Sequence, residues 1–160
     1  LQPKYKIYLE TSVISHLLAS DTPDRQIITQ NFWEVVVQNR FFEIWLSDLV
    51  LMELAQCPNF KKRRKFFEYL DNLRYNNIVL DNNIIELAYR YIEKGAFTER
   101  HIFDALHVAA ASVGCCDVLV SWDMRHIVRE KTILGVNEVN CSEGLNPLKI
   151  TTPQNFEEVI

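Results

Sequence analysis

Short runs of β-forming residues alternate with segments of helical period along this chain, and that alternation constrains the fold more than any other feature. Strands joined through helices are brought back parallel, into one sheet with helices on both faces. Asp117-Val118-Leu119-Val120-Ser121 is the clearest strand, because three successive apolar β-formers suit a position covered on both sides. Tyr5-Lys6-Ile7-Tyr8-Leu9 alternates and reads as the first strand, Phe41 to Leu46 as the second and Asn77 to Leu80 as the third. A weaker strand is expected near Val136 to Asn140.

The helices come from apolar spacing and end signals. Val13, Ile14, Leu17 and Leu18 predict a short helix after Glu10-Thr11-Ser12. Thr22-Pro23 opens a second, with Ile27, Ile28, Phe32, Val35 and Val36 on its inner face. Ser47 is placed to cap a third, and a fourth follows Pro58 to about Leu73. Ile84, Leu87, Ala88 and Tyr91 mark a fifth, stopped by Gly95, and Thr98 is placed to cap a sixth over Glu99 to Val113.

With 160 residues, 48% hydrophobic and 24% charged, the chain is expected to fold as one domain over residues 1–160. No apolar run nears the roughly 18 residues that span a bilayer. The start, Leu1-Gln2-Pro3-Lys4-Tyr5, carries no targeting pattern, so a cytoplasmic protein without membrane contact is expected. Cys57, Cys115, Cys116 and Cys141 form no Cys-x-x-Cys pair and read as reduced, small apolar residues. A net charge of −4 argues against a simple electrostatic nucleic-acid binder. Two divalent cations would cancel it, so phosphate attraction would have to be local or metal-borne.

Four acids sit in surroundings that acids normally avoid. Glu10 directly follows the first strand; Glu53 lies in the apolar Asp48-Leu49-Val50-Leu51-Met52-Glu53-Leu54-Ala55. Asp104 lies in Ile102-Phe103-Asp104-Ala105-Leu106-His107-Val108, and Asp123 follows the buried strand after Ser121-Trp122. A lone buried carboxylate costs several kcal/mol unless paired, neutralised or bound to a metal. Each acid has an ordinary alternative: a helix-start charge for Glu10, Arg63, Arg64 or another cation for Glu53, Arg100 for Asp104, and a cap for Asp123. Jointly, Glu10 and Asp123 fall at strand C-terminal ends, where ligand sites form in parallel sheets, and the helices of Glu53 and Asp104 reach that edge. Clustered carboxylates suit Mg²⁺ or Mn²⁺ and the two-metal hydrolysis of a phosphodiester.

These residues resemble the PIN-domain family, which includes the VapC toxins of bacterial toxin–antitoxin pairs. The resemblance rests on Tyr8-Leu9-Glu10-Thr11-Ser12-Val13-Ile14, Ser47-Asp48-Leu49-Val50-Leu51-Met52-Glu53-Leu54, Asp104-Ala105-Leu106-His107-Val108-Ala109-Ala110-Ala111 and Asp117-Val118-Leu119-Val120-Ser121-Trp122-Asp123, in that order. It implies a three-layer α/β/α sandwich with a mainly parallel sheet. It also implies Mg²⁺ or Mn²⁺ on Glu10, Glu53, Asp104 and Asp123, endonucleolytic cleavage of RNA, a small antitoxin partner and a homodimer. The family's first acid is usually Asp, and Glu10 is one methylene longer. The alternative it opens is a weak or inactive PIN-fold module that binds RNA or protein.

Thr11 and Ser121 flank the acids and are candidates to orient a ligand or water; capping is the alternative. Arg100 and Arg125 are candidates to steady RNA phosphates, with salt bridges to the neighbouring acids as the alternative. Lys61-Lys62-Arg63-Arg64-Lys65 reads first as a solvated helix face and second as a phosphate wall. His107 reads as a satisfied core histidine, and His126 as surface or site. Trp33, Trp45 and Trp122 are assigned to the core, with Trp122, beside Asp123, the one tryptophan considered for base stacking.

Overall fold

The computed structural model describes residues 4–160, so Leu1 to Pro3 lie outside the described residues. Five parallel strands form one sheet in the order β3-β2-β1-β4-β5. They are β1 (Tyr5–Leu9), β2 (Phe42–Ser47), β3 (Tyr75–Ile78), β4 (Val118–Val120) and β5 (Lys149–Thr151). Helices α1 (Thr11–His16), α2 (Pro23–Phe32), α3 (Asp48–Ala55), α4 (Phe60–Asp71), α5 (Asn82–Lys94), α6 (Ile102–Val113) and α7 (Glu130–Ser142) complete an α/β/α sandwich. The central strands are the most apolar, as a doubly covered sheet requires: Ile7, Leu9, Val118, Leu119 and Val120 are fully buried. The edge strand β3 carries exposed Asn76 and Asn77.

The chain runs outward from β1 through β2 to β3, then crosses to β4 on the other side of β1. Neighbouring strands β1 and β4 therefore lead into connections that leave in opposite directions, which opens a crevice at their C-terminal ends. The backbone N–H of Glu10 donates to the carbonyl of Val120 at 3.0 Å and ties the two strand ends together.

Several features differ from the sequence reading, each for a local reason. Val136 to Asn140 is helix, not strand: Thr132, Val136, Val139 and Asn140 all face inward at helical spacing. Asn140 is anchored there, accepting from Tyr91 Oη at 2.5 Å and donating to Ser112 Oγ at 3.0 Å. A five-residue window holds too little period to separate the two patterns, and the last strand proves to be Lys149–Thr151. In α2, Ile27 (57% exposed) faces out, and the buried position goes to Thr29. A π-helical turn over Trp33–Val37, closed by Gln38 N–H donating to Trp33 O at 3.0 Å, then shifts the inner face by a residue. Val35 consequently faces solvent, while Trp33, Val36 and Val37 are buried.

Ser47 and Thr98 hold the N-cap positions but make no side-chain cap bond. Ser47 is diverted to Tyr8, and after Thr98 the chain makes a 3₁₀ turn over Glu99–His101 before α6 begins at Ile102. Gly95 ends α5 at φ 83°, the left-handed conformation expected of it. The four cysteines are free thiols.

Candidate active site

Glu10 leaves β1 as the N-cap of α1 and is 7% exposed. Its Oε2 accepts from Ser12 N–H at 3.1 Å, from Ser121 Oγ at 2.7 Å and from Ser12 Oγ. The other oxygen, Oε1, lies 3.9 Å from Nε2 of His107. Glu10 is thus a helix-start acid and a member of the cluster at once: one oxygen is anchored and the other is directed into the crevice.

Glu53 does not pair with the basic run behind it. Arg63 donates to the carbonyl of Cys57 and Arg64 pairs with Glu68, whereas Glu53 Oε1 takes His107 Nε2 at 2.5 Å and Thr11 Oγ1 at 2.8 Å. Burial alone would raise the Glu53 pKa, but the hydrogen bond and charge of His107, with help from Thr11, hold it below the usual value. His107 shows the mirror effect. Its complete burial disfavours the cation, yet the Glu53 hydrogen bond and the charges of Glu10, Glu53 and Asp104 raise its pKa.

Behind His107 stands a buried relay that the sequence reading does not contain. Nδ1 of His107 meets Tyr8 Oη at 2.7 Å, and Tyr8 Oη meets Ser47 Oγ at 2.7 Å. Tyr8→Phe is expected to leave both partners short of a bond inside the protein, at a cost of about 1–3 kcal/mol in urea unfolding. A variant as stable as the parent would mean that the relay carries no net energy.

Asp104 lies in the first turn of α6 and Asp123 in the loop after β4. Asp123 Oδ1 accepts the backbone N–H groups of Arg125 at 3.0 Å and His126 at 2.9 Å, the capping weighed as its ordinary alternative; Oδ2 faces His126 Nδ1 at 3.2 Å. Asp104 is not matched with Arg100. Its Oδ2 lies 3.5 Å from His101 Nδ1 and 3.8 Å from His126 Nδ1, ion-pair rather than hydrogen-bond separations. Burial, followed by the charges of Asp123 and Glu10, pushes its pKa up to about 6. Asp104 thus shares a field with Asp123 and Glu10, while Glu53 meets Glu10 around His107, so the acids gather in two overlapping groups.

Thr11 and Ser121 each contact a carboxylate directly, and Ser121 Oγ also accepts Asp123 N–H at 2.9 Å. Arg100 and Arg125 are exposed. Trp122 is 4% exposed and donates from Nε1 to Thr29 Oγ1 at 2.9 Å, so it is the core residue expected rather than the stacking platform considered beside that reading. His101 carries no signal in the sequence because its ring is set beside Asp104 by the unforeseen 3₁₀ turn. A cleft of about 360 Å³ leads away from Thr11 and Glu53, past His16 and Phe66, to Lys62 on α4.

Mg²⁺ or Mn²⁺ fits this donor set. The donors are hard oxygens, Glu10 Oε1 and Asp104 are weakly satisfied by protein groups, and the repulsion at Asp104 is what a bound cation would relieve. Residues 7–129 match the family model described as PIN domain.

The chain belongs to the PIN domain family.

Among curated proteins no sequence matches this one. Among solved structures, this PIN-domain chain is similar to the crystal structure of VapBC2 from Rickettsia felis bound to a DNA fragment from their promoter. The TM-score is 0.57 at 14% identity, over 92% of this chain and 98% of that one, a likeness of fold. Among the described residues no helix is long and apolar enough to cross a membrane.

Proposed function

We propose that this PIN-domain chain is a metal-dependent endoribonuclease of the VapC type, with Glu10, Glu53, Asp104 and Asp123 as the acids that hold Mg²⁺ or Mn²⁺. One observation carries the reading: Asp104, less than a quarter exposed, faces the charges of Asp123 and Glu10 with its pKa raised to about 6. Such an arrangement costs stability when empty and serves a purpose when filled.

The bound ion would supply Lewis-acid stabilisation of a phosphodiester and a water made acidic enough to attack phosphorus at neutral pH. The chain's own residues set the acids in place. Ser12 and Ser121 fix one oxygen of Glu10, Thr11 and His107 fix one oxygen of Glu53, and the N–H groups of Arg125 and His126 fix one oxygen of Asp123. The second oxygens of Glu10 and Glu53 would be left for the cation, while that of Asp123 is shared with His126 Nδ1 at 3.2 Å. His107, whose pKa its acidic neighbours raise against the effect of burial, holds Glu53 from behind the cluster. RNA phosphates would be met at the rim by Arg100 and Arg125, with Lys62 further along the cleft. A small antitoxin partner belongs to the same reading, supported by the VapBC2 fold likeness, and a homodimer and a cytoplasmic setting are proposed with it.

Glu10 decides between an enzyme and a silent binding module. Its three anchors are matched to the longer side chain, so Glu10→Asp is expected to lose them and lower cleavage by about 10- to 100-fold. A gain in Mg²⁺-supported cleavage would instead show that the extra methylene detunes the site. The test of the function itself is incubation of labelled RNA with Mn²⁺, Mg²⁺ or EDTA. Cutting with metal and none with EDTA supports the enzyme; RNA binding without cutting under every metal supports the module.

A further inference from the structure

The imidazole rings of His101 and His126 are given no role in the four-carboxylate scheme, yet they are arranged around one of its members. Their rings stack with centroids 3.7 Å apart and planes inclined by 25°. Both present Nδ1 to the same oxygen, Oδ2 of Asp104, at 3.5 Å and 3.8 Å. One ligand atom from each of the three residues lies within 4.8 Å of the others. Donor atoms around a tetrahedral ion with bonds of 2.0–2.1 Å are about 3.3 Å apart, so two of these separations are already close to a ligand set. The two imidazoles come from different elements, the 3₁₀ turn before α6 and the loop after β4, and helix periodicity does not account for their meeting.

We infer that His101, Asp104 and His126 form a second cation position, one that takes a transition ion of the Zn²⁺ or Co²⁺ kind and discriminates against Mg²⁺. Imidazole nitrogen suits those ions, whereas Mg²⁺ demands oxygen and gives up its water reluctantly. Three protein ligands leave a coordination place open, and Asp123 Oδ2, 3.2 Å from His126 Nδ1, lies beside it. Binding requires each Nδ1 to offer a lone pair, so the ring proton must sit on Nε2, and both rings are exposed enough to carry it there. His107 is not equivalent: its two nitrogens are committed to Glu53 and Tyr8. The position stands on donor geometry and does not depend on nuclease activity. One consequence does rest on the nuclease reading: an ion held here draws on Asp104, so Zn²⁺ is an expected inhibitor of cleavage.

Co²⁺ titration of untagged protein, followed by visible absorption in the presence of millimolar Mg²⁺, tests the inference. The parent should show the d–d bands of a nitrogen-ligated ion. His101→Ala and His126→Ala should each weaken Co²⁺ binding by about 100-fold or more, while Glu53→Gln should leave the bands in place. Histidine NMR of the unsubstituted protein gives a second readout free of folding artefacts. Zn²⁺ should move the ring signals of His101 and His126 to the Nε2–H tautomer and leave His16 unmoved. Equal Co²⁺ affinity in parent and double variant, or ready displacement by Mg²⁺, would overturn the proposal, as would unshifted His101 and His126 signals at saturating Zn²⁺.

Discussion

Asp104→Asn is expected to reduce metal-dependent RNA cleavage by about 100-fold or more while leaving the protein folded. The substitution keeps the shape of the side chain and removes its charge, and the neighbouring groups can accommodate the amide. Asp104 meets its neighbours only at 3.5 Å and 3.8 Å, so no short hydrogen bond to them is broken. What disappears is a hard anionic ligand at the meeting point of Glu10 and Asp123 charge. The loss should appear in turnover and in the metal concentration needed for half-maximal rate. Unchanged cleavage would remove Asp104 from the site.

The same substitution should stabilise the metal-free protein, and the pH at which it does so follows from the direction of the shift. In the folded chain Asp104 titrates near 6, against an ordinary 3.8. Below about pH 4 both states hold the proton and the group costs nothing; above about pH 6 both have lost it and the folded state bears the full penalty. A displacement of about two pH units corresponds to roughly 3 kcal/mol as an upper figure. Glu53, with its lowered pKa, works in the opposite sense in acid, and His107, with its raised pKa, contributes stability that fades as pH rises through its folded value. Comparing Asp104→Asn with the parent cancels most of both effects. In EDTA the advantage of the variant should grow from pH 4 to pH 7, and saturating Mn²⁺ should reverse it at pH 7. An advantage that stays flat with pH would contradict the electrostatic account of the cluster.

Much of this arrangement is legible in the amino-acid sequence alone. The apolar runs Ile7 to Leu9 and Val118 to Val120 mark the centre of the sheet, because strands covered on both faces need such residues. The four acids stand out because their neighbours are core residues. What stays hidden depends on contacts distant in sequence. Asn140 becomes helical and buried because Tyr91 and Ser112 receive it, and the π-helical turn at Trp33–Val37 rotates a face whose composition looks regular. The site has the same blind spots. Trp122 proves to be the core residue expected, its indole bound by Thr29 almost a hundred residues away, whereas His101 escapes notice because only the 3₁₀ turn sets it beside His126. His107 reads as a satisfied core histidine, and it is one, yet the groups that satisfy it include Glu53 of the candidate site.

The central claim is that acids holding a divalent cation, rather than histidines acting as acid and base, would cut the RNA. The ends of the cleavage products separate these chemistries. Attack by water leaves no cyclic phosphate, whereas histidine-driven attack by the neighbouring 2′-hydroxyl leaves a 2′,3′-cyclic phosphate and needs no metal. Labelled single-stranded RNA treated with the protein in Mn²⁺ should yield fragments without a cyclic end, and in EDTA it should remain intact. Cyclic-phosphate ends formed in EDTA would contradict the account.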